Sequence, residues 1–144
     1  MTTEVQSTYQ KPLPRPANPE LTQPYWDGLR EGKLLLPRCR QCGSFFWYPR
    51  DACPGCLQAN WEWTPASGCG RIYTFTIVRQ PANPAFVADV PYAYAVIQLD
   101  EGVRVVSNVV GSDPETLQVD MPVVAVFDAV TPEWTLLKFR VNDD

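Results

Sequence analysis

The amino-acid sequence predicts a mainly β chain in which a short N-terminal helix and a metal-bound ribbon precede a five-stranded OB-type Greek-key barrel. Three observations carry this expectation. Two Cys-x-x-Cys pairs, Cys39/Cys42 and Cys53/Cys56, stand ten residues apart, a spacing that builds a two-knuckle metal ribbon. Beyond Gly68, five runs of β-branched and aromatic residues follow one another between turn signals, the pattern of a small barrel. Fifteen prolines in 144 residues, against a usual share of about 5%, break the chain into short elements and exclude long helices.

Taken in order, residues 1–19 read as an extended arm, because Pro12, Pro14, Pro16 and Pro19 block helix and sheet alike. Such an arm is free or lies against a partner. A helix is expected from Thr22, with Thr22 as cap, Pro24 in the first turn and Gly32 at the end. Tyr25, Trp26 and Leu29 share one face of it. Tyr25 and Trp26 are the candidate partner-interface residues, and packing within their own domain explains the same face. Residues 20–66 form one unit, the helix plus the ribbon. Within it Leu34-Leu35-Leu36 leads into Cys39, Phe45-Phe46-Trp47-Tyr48 lies between the knuckles, and Trp61 and Trp63 alternate as strand residues do.

Residues 67–144 form the barrel unit. Its strand signals are Ile72–Val78, Tyr92–Leu99, Val103–Val110, Val123–Phe127 and Leu136–Val141. Asp100-Glu101-Gly102 joins the second to the third, with glycine placed for the left-handed conformation. Ser112-Asp113-Pro114-Glu115, between the third and fourth, reads as a capping box for one helical turn. That order of five strands with a short helical insert is the order of an OB fold.

Composition restricts the chemistry. The sequence holds five cysteines and no histidine, so it contains no Ser-His or Cys-His nucleophile pair. Any metal must sit on thiolates or carboxylates. The 45% apolar content is enough for a packed core. No apolar run reaches the roughly 18 residues of a spanning helix. No charged segment leading into an apolar stretch opens the sequence, so a cytoplasmic setting with reduced thiols is expected. There, paired cysteines hold metal rather than disulfides.

Cys39, Cys42, Cys53 and Cys56 are therefore the candidate metal ligands, one ion per chain. Two residues between cysteines bring both sulfurs of a knuckle to one ion, and two knuckles close a tetrahedron. Zn²⁺ is the expected ion, with iron as the rival that the same four-sulfur geometry accepts. A closed tetrathiolate has no open position, so the metal is structural and activates no substrate. Cys69, between Gly68 and Gly70, has only Arg71 beside it to lower its pKa, and reads as a small residue at a strand entrance.

Charge is divided between the halves. Residues 1–80 carry nine Lys/Arg against six Asp/Glu, whereas residues 81–144 carry three against ten. Lys33, Arg38, Arg40 and Arg50 surround the knuckles, interleaved with the Phe45–Tyr48 aromatics. Such a set suits a single-stranded nucleic acid, a phosphorylated cofactor such as coenzyme A, or an acidic partner, or forms a solvated rim. The acidic barrel half argues against nucleic acid.

Further features narrow the reading. Tyr25-Trp26-Asp27-Gly28-Leu29-Arg30-Glu31-Gly32-Lys33-Leu34 precedes Cys39-x-x-Cys42-Gly43 and Cys53-Pro54-x-Cys56. Gly68-x-Gly70, Tyr73-x-Phe75-Thr76, Pro91-Tyr92-x-Tyr94 and Leu99-Asp100-Glu101-Gly102-Val103-Arg104 follow. Over residues 20–141 this resembles the family of acyl-CoA-associated proteins that joins a rubredoxin-like zinc ribbon to an OB fold. Its members accompany thiolase-like enzymes, as the small subunit of benzylsuccinyl-CoA thiolase or as partners of sterol side-chain aldolases. The resemblance implies a non-catalytic accessory subunit, with the catalytic cysteine and histidine on the partner. It also implies carbon–carbon cleavage in an acyl-CoA thioester, in aromatic or steroid degradation. A heterotetramer with acyl-CoA at or near the interface is the implied assembly. Two other readings stand beside it, a single-stranded nucleic-acid-binding module and a free-standing acyl-CoA-binding protein.

Overall fold

The computed structural model describes residues 9–142. Helix α1, Pro19–Arg30, opens the fold. It starts earlier than Thr22, because Asn18-Pro19 is the stronger start signal: Asn18 is the cap and Pro19 fills the first turn, where no N–H is needed. The Thr22 hydroxyl instead donates to the Asn18 carbonyl, 3.2 Å away. Leu29 and Gly28 are buried. A Cβ on Gly28 would come within 3.0 Å of the Leu35 side chain, so the helix seats directly on the ribbon.

The ribbon is strand β1, Leu35–Cys39, paired antiparallel with β2, Trp61–Pro65, in the register Leu35↔Pro65 to Cys39↔Trp61. Five further strands close a barrel: β3 Cys69–Val78, β4 Tyr92–Leu99, β5 Arg104–Val110, β6 Pro122–Ala129 and β7 Thr135–Val141. Their order around the barrel is β3-β4-β5-β7-β6. Neighbours run antiparallel apart from β5 and β7, which pair in parallel at Val109↔Phe139 and Val110↔Arg140. This is the OB topology. The β4–β5 turn has Gly102 at φ 93°, and its amide donates to the Leu99 carbonyl at 2.8 Å. The 3₁₀ turn Pro114–Thr116 occupies the place of the OB helix. Asp113, not Ser112, is its cap and accepts from the Glu115 amide at 3.0 Å. The Glu115 carboxylate is drawn instead to Arg79.

Period-two burial builds the core. In β4 the inward residues Ala93, Ala95, Ile97 and Leu99 are buried, and they pack with Ile72, Val105, Val109, Val123 and Phe139. Leu34 and Leu36, from the ribbon unit, belong to the same cluster. Cys39, Phe46 and Cys53 form a second, far smaller one with Cys56 and Trp61 at its edge. So few apolar side chains leave the knuckle end of the ribbon dependent on other cross-links.

The extended arm was expected over residues 1–19, of which 1–8 lie outside the described residues. Within residues 9–18, Lys11 ties the arm to the loop that joins β3 to β4. Lys11 forms an ion pair with Asp89 at 2.5 Å, and its ammonium sits 6.0 Å from the centre of the Phe86 ring.

Candidate metal centre and the aromatic groove beside it

The two knuckles fold alike. The Cys39 amide donates to the Ser44 carbonyl, and the Cys53 amide to the Gln58 carbonyl, each at 2.9 Å. The Gly43 amide returns to the Cys39 carbonyl at 2.9 Å, and the Leu57 amide to the Cys53 carbonyl at 2.8 Å. Both returning residues are left-handed, Gly43 at φ 75° and Leu57 at φ 65°. Gly43, directly after the first cysteine pair, and Pro54-Gly55 inside the second are sequence signals for such turns, whereas leucine carries no signal for the conformation that Leu57 adopts.

The two turns bring the four Sγ atoms of Cys39, Cys42, Cys53 and Cys56 within 4.8 Å of one another. Cys39 and Cys56 are separated by 3.5 Å, and Cys42 and Cys53 by 3.7 Å. A tetrahedron with metal–sulfur bonds near 2.3 Å has edges of about 3.8 Å, so the cage fits one such ion. Four sulfurs select zinc or iron over harder ions. Backbone amides point inward: those of Gln41 and Cys42 donate to Cys39 Sγ at 3.3 and 3.4 Å, and that of Gly55 to Cys53 Sγ at 3.4 Å.

Crowded sulfurs do not share one pKa. Hydrogen bonds from the Ser44 hydroxyl and amide hold the Cys42 thiol down to about 6, and the Cys42 amide lowers that of Cys39. The Gln58 amide pulls Cys56 down. Hydrogen bonding to Cys39, burial and the other sulfurs outweigh it and push Cys56 up to about 12. Holding Cys56 as a thiolate beside Cys39 and Cys42 calls for a cation between them.

The basic residues beside the knuckles do not form one free patch. Arg40 meets Glu62 at 3.1 Å, Lys33 lies 3.8 Å from Glu31, and Arg38 covers the Phe45 ring at 5.1 Å, while Arg50 is exposed. Cys69 is half-buried. Its amide donates to the Ser67 hydroxyl at 3.1 Å, while the Arg71 guanidinium is turned to the Asp120 carbonyl at 3.0 Å. In the β4–β5 turn, Glu101 Oε2 accepts from the Ser67 amide at 2.9 Å, tying that turn to the segment between ribbon and barrel.

Tyr25 and Trp26 lie on a groove of about 450 Å³ between α1, the ribbon and the barrel, with Trp47, Tyr48, Tyr94 and Val106 along its walls. Tyr25 packs at 4.9 Å from both Trp26 and Trp47. Trp26 meets Trp134 edge-on at 5.2 Å. Burial pushes the Tyr25 phenol above its ordinary range, so it stays neutral. Tyr48 and Tyr94 are 57% and 49% exposed. Tyr94 was detectable in sequence as the large aromatic on the outward phase of β4. Trp134, between two strands with no periodic pattern, was not.

No helix of the described residues is long and apolar enough to cross a membrane. Two family models match the chain in tandem: "ChsH2, rubredoxin-like zinc ribbon domain" over residues 26–62 and "ChsH2, C-terminal OB-fold domain" over residues 63–128. A "Probable enoyl-CoA hydratase alpha subunit" of Thermomonospora curvata is 34% identical over 140 residues, 95% of this chain. The match spans 43% of that protein's length. A "DUF35 domain-containing scaffold protein" of Methanocaldococcus jannaschii is 35% identical over 71% of this chain and 73% of its own. Among solved structures, a chain of the "Ltp2-ChsH2(DUF35) aldolase" superposes with a TM-score of 0.79 and 33% identity, over 88% of this chain and 98% of that one. With ribbon and barrel both matched and near-complete overlap with a DUF35 chain, this protein belongs to the ChsH2/DUF35 family of zinc-ribbon and OB-fold proteins.

Proposed function

We propose that this chain is a non-catalytic accessory subunit of a thiolase-like enzyme, a thiolase or retro-aldolase that cleaves a carbon–carbon bond in an acyl-CoA thioester. The observation that carries the reading is its superposition, nearly end to end, on the DUF35 chain of an aldolase. The residue inventory supports it. The sequence has no histidine, and four of its cysteines converge on one cage. The nucleophile and base of acyl-CoA chemistry then lie outside these 144 residues, on the thiolase-like partner, and the assembly is a heterotetramer with the thioester at or near the interface. A cytoplasmic setting accords with the reduced thiols that the cage requires.

Cys39, Cys42, Cys53 and Cys56 hold one Zn²⁺. When bound, the ion ties the two knuckles together and offers no open coordination position. The chain's own residues supply rigidity and surface. Residues 20–66 act as helix plus ribbon, seated on the 67–144 barrel through Leu34 and Leu36. Their aromatics, Tyr25, Trp26, Trp47 and Tyr48, meet Tyr94 and Val106 of the barrel in one ledge. Half-exposed tyrosine and tryptophan in a cleft are the usual anchors of a protein interface, and we place the partner there.

Turnover of an acyl-CoA substrate by the thiolase-like protein, with this chain omitted and then restored, tests the proposal. Activity present only with both chains supports it. Full turnover without this chain contradicts it. Titrating the isolated chain with CoA thioesters and with single-stranded oligonucleotides covers the other two readings: tight thioester binding without a partner marks a free-standing carrier, and steeply salt-dependent oligonucleotide binding marks a nucleic-acid module.

A further inference from the structure

The four sulfurs of the centre are not equivalent. Cys39 and Cys53 are each 1% exposed, covered by Phe46 and the edge of Trp61. Cys56 is half-buried, whereas Cys42 is exposed. The knuckles are alike in backbone, so the difference comes from what packs around them. Cys42 begins the tip of the first turn, where Gly43 and Ser44 are also exposed. Arg38 brings a cation to that tip, its Nε donating to the Gly43 carbonyl at 3.0 Å. Of four sulfurs in one cage, the exposed one is the first that a dissolved reagent meets. Across the cage, Cys53 Sγ lies 3.7 Å from Cys42 Sγ on the other knuckle, within about 1.7 Å of disulfide length.

We propose that Cys42 is the modification site of this centre: a peroxide or a carbon electrophile reacts first with its sulfur, and after oxidation Cys53 closes a disulfide that dismantles the cage. The inference rests on the four cysteines forming one metal site and is independent of the accessory-subunit reading. With hydrogen peroxide, the Cys42 thiolate attacks one oxygen, the S–O bond forms as the O–O bond breaks, and the leaving hydroxide takes a proton to become water. The Cys53 thiolate then attacks the sulfenic sulfur. The S–S bond forms, the S–O bond breaks, and a second hydroxide leaves and is protonated to water. Two thiolates have given up two electrons, one peroxide has become two waters, and two solvent protons are consumed. Only Cys39 and Cys56 remain as donors, too few for a closed site.

The test uses the full chain loaded with zinc. Native protein is treated with limiting N-ethylmaleimide or hydrogen peroxide. Peptide mass mapping then assigns the modified cysteine while a chromophoric chelator follows released zinc. Among the four ligands, Cys42 is expected to carry the first maleimide adduct, on the order of tenfold ahead of Cys39 and Cys53. Peroxide is expected to yield a Cys42–Cys53 disulfide with one zinc released per disulfide. A first adduct on Cys39, Cys53 or Cys56 overturns the proposal, as does zinc released with Cys42 still reduced and unmodified.

Discussion

Single residues carry costs that the geometry makes explicit. A Cβ on Gly70 would lie 2.5 Å from the Gln98 carbonyl oxygen, where β3 pairs with β4. Gly70→Ala is therefore expected to lower stability by about 2 kcal/mol, read from the urea midpoint of metal-loaded protein. At the knuckles the expected signs are opposite. Gly43→Ala loses about 1 kcal/mol, because nothing crowds the position and the left-handed backbone alone decides. Leu57 is 78% exposed, so Leu57→Gly forfeits little packing and relieves the same strain, for a gain of about 0.5 kcal/mol. Gly70 and Gly43 were visible in the sequence as glycines beside a strand entrance and a cysteine pair. Leu57 was not, because its conformation is imposed by the metal-knuckle backbone against its own preference.

At the scale of elements, the strands were legible because period-two burial leaves its pattern in β4 and β5, and the β4–β5 turn because Gly102 ends it. The start of α1 shifted, since Asn18-Pro19 outranked Thr22, and the 3₁₀ turn at Pro84–Phe86 had no periodic signal. Packing divides the chain unequally: the barrel has its own core, whereas the knuckle end of the ribbon has little beyond Phe46 and Trp61. Removing the metal with a strong chelator is expected to abolish hydrogen-exchange protection around Cys39–Cys56 and to leave Tyr92–Leu99 and Val105–Val109 protected. Equal loss of protection in β4 would contradict this division. Metal affinity is expected to fall as the pH falls, because sulfurs ligate only when deprotonated. Competition with a chelating dye at stepwise lower pH measures it.

The whole molecule presents one surface that neither half builds alone. Its groove draws on α1, the ribbon, β4 and β5, with Trp134 buttressing Trp26. Of its residues the sequence marks Tyr25 and Trp26, because the convergence of Tyr48, Tyr94 and Val106 depends on how the barrel closes. Tyr94 is half-exposed on the outward side of β4, so Tyr94→Ala is expected to change stability by no more than about 0.5 kcal/mol. The same substitution should weaken partner binding by about tenfold. Trp26→Ala removes packing against Trp134 and Tyr25 and is expected to lower both. Binding of each variant, set against its unfolding midpoint, separates the two effects. The central claim is that this chain works as one subunit of an acyl-CoA-cleaving assembly. Co-purification of the tagged, metal-loaded chain from its native cells, with the bound proteins quantified by mass spectrometry, tests that claim most directly. A thiolase-like protein in equal amount is the expected result. Recovery of the loaded chain without one would contradict it.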